Sequence, residues 1–288
     1  MKFFVAAIML LSSCCLLSQI KEIDYINEVL KEASSASIVL FDIDETLIET
    51  PSMLGGKAWR RYARRALEKV KSQEEATEIH DKITYLIAKN FIYTTVEDDI
   101  HDCLHTLYKS EIPVFGFTAR GKVHWYDMPS PDGEELTIEH LKQAGIDLTA
   151  RSIAVDNALT AHSSYAKRIF FAYPVEDKGE LILELFKNMQ LLPAKVVFVD
   201  DKLENVRVVD KACEQLGIPS VCFYYRHIEL HRSFDLMVAN IQLEKLLFEN
   251  RVLSDEEALL LKSKYLHKNP DAFFLELIKF FETFPSSN

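Results

Sequence analysis

Glycine and proline are scarce in this sequence, at 8 and 9 of its 288 residues. Collagen-like chains need glycine at every third position, and disordered low-complexity chains are usually rich in both residues, so neither class applies. Hydrophobic residues make up 48% of the chain and charged residues 27%, as in an ordinary globular protein. The length exceeds one average domain and falls short of two, so we expect one core that carries an insertion.

Basic charge is also in deficit, with 33 Lys and Arg against 44 Asp and Glu and a formal net charge of -11. Such a chain is repelled by the phosphate backbone of nucleic acids, and we therefore expect no nucleic-acid partner. A bound phosphate group must instead be held by a local cluster of donors.

The longest apolar run covers residues 3–11, follows Lys2 and precedes two serines. A charged start, an apolar middle and small residues are typical of a secretory signal, and this run is too short to span a bilayer comfortably. We predict that residues 1–18 are a signal peptide and that the protein is periplasmic or secreted. A first core helix is the alternative, but such a helix would normally carry polar residues on one face.

The segment Leu11-Ser12-Ser13-Cys14 resembles the box at which bacterial lipoproteins are cleaved and acylated on cysteine. It predicts membrane attachment through an acylated Cys14 as an alternative to soluble export.

Cysteine is infrequent, and the three cysteines beyond the leader, of five in all, show no metal-ligand spacing. Beyond the two leader cysteines, Cys103 and Cys222 lie in apolar patterns that are typical of core residues. A disulfide between Cys213 and Cys222 is one alternative in an oxidising compartment, and the sequence leaves that pairing open.

Four short apolar runs are rich in β-branched and aromatic residues. They cover residues 38–41, 112–117, 196–199 and 221–225. Helical patterns separate these runs, which is typical of buried strands in a parallel sheet. The predicted fold class is therefore α/β, a Rossmann-like parallel sheet over residues 19–226, and an amphipathic helix from Ile23 precedes the first strand.

Two further helical regions do not belong to simple crossovers. Residues 57–71 and 75–88 have helical patterns, and we predict a helical cap over the site at about 50–95. After Arg226 the chain is helical again, so residues 227–288 are predicted to be a C-terminal helical extension. In that extension Ser254 and Glu257 have the spacing of a capping box.

Two carboxylates follow the first predicted strand, in the segment FDIDETL at residues 41–47. In open α/β sheets ligands bind beyond the carboxyl ends of the strands, and residues two apart in a strand point to the same side. Asp42 and Asp44 are therefore candidates for a nucleophile and a general acid and base. Alternatively, both acids simply cap the turn or the next helix.

Polar residues also follow the other predicted strands. Thr118 and Arg120 supply a hydroxyl and a guanidinium, and Asp200 and Asp201 supply oxygen ligands that suit Mg²⁺. Lys178 begins a helical stretch, where its ammonium could neutralise phosphate charge. Each residue has a structural interpretation as a cap or a solvated surface group, but their common order after apolar runs favours a site.

In this order the motifs resemble those of the haloacid dehalogenase superfamily: an Asp-x-Asp at strand one, a Thr or Ser at strand two, a Lys, and an acidic pair at strand four. The match covers residues 38–226. The segments around Asp42 and Thr118 look like exported bacterial acid phosphatases, some of which are lipoproteins, although these usually show a Gly-Asp form at Asp200-Asp201. The chain also looks like an uncharacterised exported family of the same superfamily.

This resemblance implies a Mg²⁺-dependent phosphomonoesterase whose partner is a small phosphorylated substrate. Asp42 would form an aspartyl-phosphate, and Asp44 would protonate the leaving alcohol and then activate water. The implied Mg²⁺ ligands are Asp42, Asp44 through its carbonyl, Asp200 and, farther out, Asp201. The implied substrate-binding residues are Thr118, Arg120 and Lys178. A non-catalytic binding or effector protein on the same fold is the alternative, and the oligomeric state stays open.

A basic cluster stands out in the predicted cap, at residues 57–65. Helical spacing places Lys57, Arg61, Arg64 and Arg65 along one side. In one interpretation this side overhangs the Mg²⁺ site and attracts anionic substrates. In the other, the arginines belong to a solvated face and pair with acids such as Glu68.

Overall fold

The computed structural model describes residues 18–120, 133–149, 164–172, 178–188 and 193–283. The predicted signal peptide up to residue 17, with Cys14, lies outside these residues. The described residues divide into two compact units. The first unit falls within 1–47, 96–122 and 146–230, and the second within 48–95, 123–145 and 231–288.

The described strands are β1 (Ser18–Ile23), β2 (Ser37–Phe41), β3 (Ile48–Glu49), β4 (Thr94–Thr95), β5 (Val114–Thr118), β6 (Ser164–Ala166), β7 (Ile169–Phe171), β8 (Lys195–Asp200) and β9 (Ser220–Tyr225). Seven of them form one sheet in the first unit, in the order β1-β9-β8-β2-β5-β7-β6. Six run parallel, and β6 runs antiparallel to β7 at one edge. The predicted α/β fold with a parallel sheet is confirmed, and each of the four predicted runs overlaps one of its strands, although the run 112–117 begins two residues before β5.

The described helices are α1 (Lys57–Glu68), α2 (Gln73–Asn90), α3 (Ile100–Lys109), α4 (Gly133–Gln143), α5 (Lys178–Asn188), α6 (Leu203–Leu216), α7 (His227–His231), α8 (Leu236–Glu249), α9 (Asp255–Leu261) and α10 (Pro270–Thr283). Among the described helices, none combines the length and the apolar character needed to cross a membrane.

The start of the described chain differs from the predicted amphipathic helix. Residues 18–23 form β1, which pairs in parallel with β9, and only Ile26–Lys31 is helical, as a short 3₁₀ helix. Pairing with β9 provides hydrogen-bond partners for the backbone N–H and C=O groups of β1 at the edge of the sheet. The spacing of apolar residues within the segment cannot reveal a partner strand so far along the chain. Ser18, the last residue of the predicted leader, is already part of β1.

Helices α5 and α6 pack on one face of the sheet. Their buried apolar residues meet those of the central strands in one core, which includes Leu181, Ile182, Phe186, Val206, Phe117 and Phe198. Gly217 ends α6 with a left-handed backbone at φ +67°, and its N–H donates to the carbonyls of Cys213 and Glu214. A residue without Cβ adopts that conformation at no steric cost.

The three described cysteines, Cys103, Cys213 and Cys222, are buried free thiols. The pairing of Cys213 with Cys222 that the sequence left open is therefore not formed in this structure. Burial raises the pKa of the Cys213 thiol to about 12, so this group is an unreactive core residue at neutral pH.

The second unit joins the helices after residue 231 to residues 48–95, regions that sequence analysis had treated separately. The buried Gln242 side chain accepts a hydrogen bond from Leu54 N at 3.0 Å and donates to Asp255 Oδ1 at 2.8 Å. Asp255 also accepts from Met53 N at 2.7 Å. The predicted capping box of Ser254 and Glu257 is present at the start of α9.

The basic cluster lies on α1 in this second unit. Arg61, Arg64 and Arg65 are exposed, and within the described part of the chain none of them pairs with an acid, Glu68 included. These three arginines therefore belong to a solvated face, as one interpretation expected, but without the expected pairing to acids such as Glu68. Their predicted role in attracting anionic substrates stays a prediction.

Truncation of a core residue of the first unit should destabilise it strongly. Leu40→Ala removes a fully buried side chain from β2, and we expect a loss of about 2–5 kcal/mol in the free energy of unfolding. Leu230→Ala removes the same atoms from an exposed position, so its effect should stay within about 0.5 kcal/mol. Urea unfolding measures both, and similar losses would contradict the assigned core.

Candidate metal and phosphate site

Three carboxylates meet at the carboxyl ends of two neighbouring strands. Asp42 follows β2, Asp200 ends β8, and Asp201 follows Asp200. The strands β2 and β8 are parallel neighbours. Asp42 N donates to Val199 O at 2.8 Å, which extends their hydrogen-bond ladder to the carboxyl ends of the strands. One carboxylate oxygen from each residue lies within 4.8 Å of the other two, and all three residues are buried. The predicted acidic cluster is thus assembled by adjacent strands.

Lys178, the first residue of α5, extends into this cluster. Its Nζ donates to Asp42 Oδ1 at 2.5 Å and to Asp200 Oδ2 at 2.7 Å. The ammonium also lies 5.5 Å from the ring centroids of both Phe117 and Phe198. These rings and the fully buried position exclude water, which strengthens each charge interaction inside the cluster.

The charges in this cluster do not balance. Burial raises the pKa of Asp42 to about 8, with Asp200 and Asp201 adding to the rise and Lys178 opposing it. Burial also raises the pKa of Asp200. Burial lowers the pKa of Lys178, but the charges of Asp200 and Asp42 and their hydrogen bonds outweigh it, so that pKa is raised. One ammonium cannot neutralise three carboxylates, so a carboxyl keeps its proton.

This donor set fits a divalent cation. With every group ionised, three carboxylates and one ammonium leave two negative charges in excess. A divalent cation cancels that excess, and closely spaced carboxylate oxygens are the ligands that Mg²⁺ prefers. Asp42, Asp200 and Asp201 are therefore the residues that could hold it, whereas the carboxylate of Asp44 lies outside this group.

Asp200 is held in place by two contacts that sequence analysis did not predict. Asn205 Nδ2 donates to both carboxylate oxygens of Asp200, at 2.9 and 3.1 Å, and Lys202 N donates to Oδ1 at 2.8 Å. Asn205 lies in the first turn of α6, five residues after Asp200. Donors around a metal ligand fix its orientation, and an amide one helical turn after an acidic pair is the signal that could have predicted this contact.

Asp44 and Arg120 form a second cluster. The Arg120 guanidinium donates through Nε to Asp44 Oδ2 at 2.7 Å and through Nη2 to Asp44 Oδ1 at 2.5 Å. Thr118 Oγ1 accepts from Arg120 N at 3.1 Å, which fixes the turn after β5. The structure therefore brings Asp44, Arg120 and Thr118 together, and it brings Lys178 together with the three carboxylates.

The turn that contains Asp44 and Glu45 is conformationally strained. Glu45 is buried and has φ +61°, a left-handed backbone that costs a non-glycine residue roughly 1–2 kcal/mol. The next turn closes where Leu47 N donates to Ile43 O at 3.0 Å. Such strain persists only where the surrounding structure holds it, and it is common at functional sites.

Comparisons with known proteins place this chain in a family. A family model described as "Protein of unknown function (DUF2608)" matches residues 19–259. The chain belongs to this DUF2608 family. The matched residues include every member of both clusters.

Relatives of the chain come from Chlamydia. A Chlamydia pneumoniae protein is 25% identical over 235 residues, which cover 80% of this chain and 84% of the relative. Proteins of Chlamydia trachomatis and Chlamydia muridarum are 23% and 24% identical, with the same coverage of both chains. All three are named "putative outer membrane protein". No solved structure matches the chain.

Metal binding should depend on pH. Because the pKa of Asp42 is raised, the folded state binds its proton more tightly than the unfolded state, and the metal-free protein should lose stability as pH rises toward about 8. Mg²⁺ must displace that proton at lower pH. The increase in melting temperature on adding Mg²⁺ should therefore be larger at high pH than at low pH.

Two variants test whether the carboxylate cluster causes the increase in melting temperature on adding Mg²⁺. Asp201→Asn removes a carboxylate donor and should abolish most of the Mg²⁺-induced shift. Asp102→Asn changes an exposed acid on α3 and should keep the full shift. Thermal melting with and without Mg²⁺ measures both, and a shift that is independent of pH, or is retained in Asp201→Asn, would contradict the site.

Proposed function

We propose that this protein is an exported Mg²⁺-dependent phosphomonoesterase that acts through an aspartyl-phosphate on Asp42. The observation that supports this most is the buried contact of Lys178 with Asp42 and Asp200, beside Asp201. A cation site next to a carboxylate nucleophile suits an anionic substrate. The bound cation and the Lys178 ammonium would both reduce the repulsion between the substrate and the carboxylate of Asp42. The motif resemblance to haloacid dehalogenase phosphatases supports the same chemistry.

The proposed reaction has two steps. Asp42 attacks phosphorus, an Oδ–P bond forms as the ester P–O bond breaks, and Asp44 gives its proton to the leaving alcohol. In the second step Asp44 takes a proton from water as the water attacks phosphorus, which releases phosphate and restores the carboxylate of Asp42. Lys178 and Thr118 bind the phosphoryl oxygens.

Mg²⁺ would be held by Asp42, Asp200 and Asp201, and when bound it would neutralise negative charge on the phosphoryl group. Lys178 restrains the Asp42 carboxylate through its 2.5 Å hydrogen bond. Asn205 restrains Asp200 in turn. These contacts keep the nucleophile in one orientation, which reduces the entropy lost on reaching the transition state.

A second candidate function is binding of a metal or an anion without turnover. The bidentate Asp44–Arg120 pair favours it, since both oxygens of the proposed acid are already occupied. A proton on Asp44, which the general-acid step needs, competes with its ion pair to Arg120. Turnover assays with the variants below separate the two functions.

The export proposal depends on residues 1–18 and on the relatives. The charged, apolar and small segments of the leader form a secretory signal in sequence. The chlamydial relatives carry the name "putative outer membrane protein", which supports export of this chain as well.

Asp42→Asn should abolish Mg²⁺-dependent release of phosphate from an aryl phosphate, because a neutral amide has nearly the same shape but is a poor nucleophile.

Asp44→Asn should reduce turnover of an alkyl phosphate by about a hundredfold or more. The loss should be smaller for an aryl phosphate, whose leaving group needs no proton. Steady-state phosphate release in Mg²⁺ and in chelator gives each value.

The exposed variant Asp102→Asn is the control and should retain parent activity. Residual Asp42→Asn activity within about tenfold of the parent would disprove the nucleophile. Equal losses for aryl and alkyl phosphates in Asp44→Asn would assign Asp44 to binding and not to proton transfer.

A reporter fused to residues 1–30 should leave the bacterial cytoplasm, because the leader has the features of a secretory signal. If Cys14 is acylated, Cys14→Ser should release the reporter from membranes while Cys15→Ser does not. Cell fractionation measures both. Cytoplasmic retention of the unaltered fusion would refute the export proposal.

A further inference from the structure

The two clusters differ in depth. The side chains of Lys178 and Asp200 are 1% and 0% exposed, and that of Asp42 is 9% exposed. Those of Arg120 and Asp44 are 14% and 27% exposed. The Lys178 cluster is thus the closed end of the site, and the Asp44–Arg120 pair lies nearer to solvent.

A phosphate monoester consists of a phosphoryl group at one end and a leaving group at the other. Its phosphoryl group must reach Asp42 at the closed end, so its leaving group lies on the side nearer to solvent. There it meets a guanidinium whose donors are bound by a carboxylate. A neutral leaving group offers nothing that could replace that carboxylate on Arg120.

An anionic leaving group can compete with Asp44 for the guanidinium of Arg120. Guanidinium binds carboxylate or phosphate through the same two parallel hydrogen bonds, so a second anionic group on the substrate can replace Asp44 with little net cost. The exchange leaves Arg120 paired and frees Asp44, which then takes up a proton from solvent and can act as the general acid. Without the exchange, separating the pair leaves a partly buried charge without a partner, which is unfavourable.

We infer that the site selects phosphate monoesters that carry a second anionic group, and that this group binds Arg120 in place of Asp44. The inference rests on the proposed function and adds the substrate class to it. Arg120 is then a specificity-determining residue, and neutral esters of similar size are poor substrates because they leave the Asp44–Arg120 pair closed.

Binding of phosphonates tests the inference without turnover. Phosphonoacetate carries a carboxylate where 2-hydroxyethylphosphonate carries a neutral hydroxymethyl group, and neither has a hydrolysable ester bond. In isothermal titration calorimetry with Mg²⁺ present, we expect wild-type protein to bind phosphonoacetate about tenfold more tightly or better. Arg120→Gln should remove this preference, and Arg120→Lys, which keeps the charge but not the paired donors, should retain part of it.

Arg207→Gln is the matched control, since Arg207 is an exposed arginine on α6 in the same unit, and it should keep the full preference. Circular dichroism checks that each variant is folded. Equal binding of the two phosphonates by wild-type protein would overturn the inference. So would a preference that persists in Arg120→Gln, because the second anion would then be recognised elsewhere.

Turnover distinguishes this inference from the proposed function. Phosphoglycolate and 2-hydroxyethyl phosphate are the corresponding esters, and kcat/KM should favour phosphoglycolate by about tenfold or more in wild-type protein only. Hydrolysis of both esters at equal efficiency would overturn the inference and leave the proposed function intact. A binding preference without hydrolysis of either ester would overturn the proposed function and leave the selectivity of Arg120 intact.

Discussion

The buried ammonium of Lys178 holds together two carboxylates from separate parts of the chain. It lies between Asp42 and Asp200, on two different strands, and without it their carboxylates would repel each other in a place that water does not reach. An uncompensated buried charge costs several kcal/mol. The start of α5, the rings of Phe117 and Phe198, and the ends of β2 and β8 must therefore keep their positions together.

A single ammonium also leaves the cluster short of positive charge. Lys178 balances one carboxylate, and burial beside Asp200 and Asp201 raises the pKa of Asp42. The same imbalance explains why a divalent cation and an anionic substrate are compatible here. In the proposed function a divalent cation would offset the excess of carboxylates, and the ammonium would remain available to a phosphoryl group.

Much of this arrangement could be predicted from sequence. The four apolar runs predicted parallel strands, and acids directly after two of them had to lie at one edge of the sheet. Lys178 was assigned from order and resemblance. The contact of Asn205 with Asp200 and the bidentate pairing of Asp44 with Arg120 were not predicted, because both depend on side-chain geometry between separate elements. The strand β1 was missed since its partner, β9, lies about two hundred residues later.

The α/β class, the central strands and the acidic residues that follow them can be predicted from the amino-acid sequence, because hydrophobic runs and strand polarity are local properties of the chain. Which charges meet depends on how the strands and helices pack. The tertiary structure placed Lys178 between Asp42 and Asp200 and gave Asp44 to Arg120, although sequence order alone allowed other pairings. It also joined residues 48–95 and the C-terminal helices into one unit through Gln242. Ion pairs and buried hydrogen bonds need partners a few ångströms apart, and that proximity exists only after the strands and helices have packed.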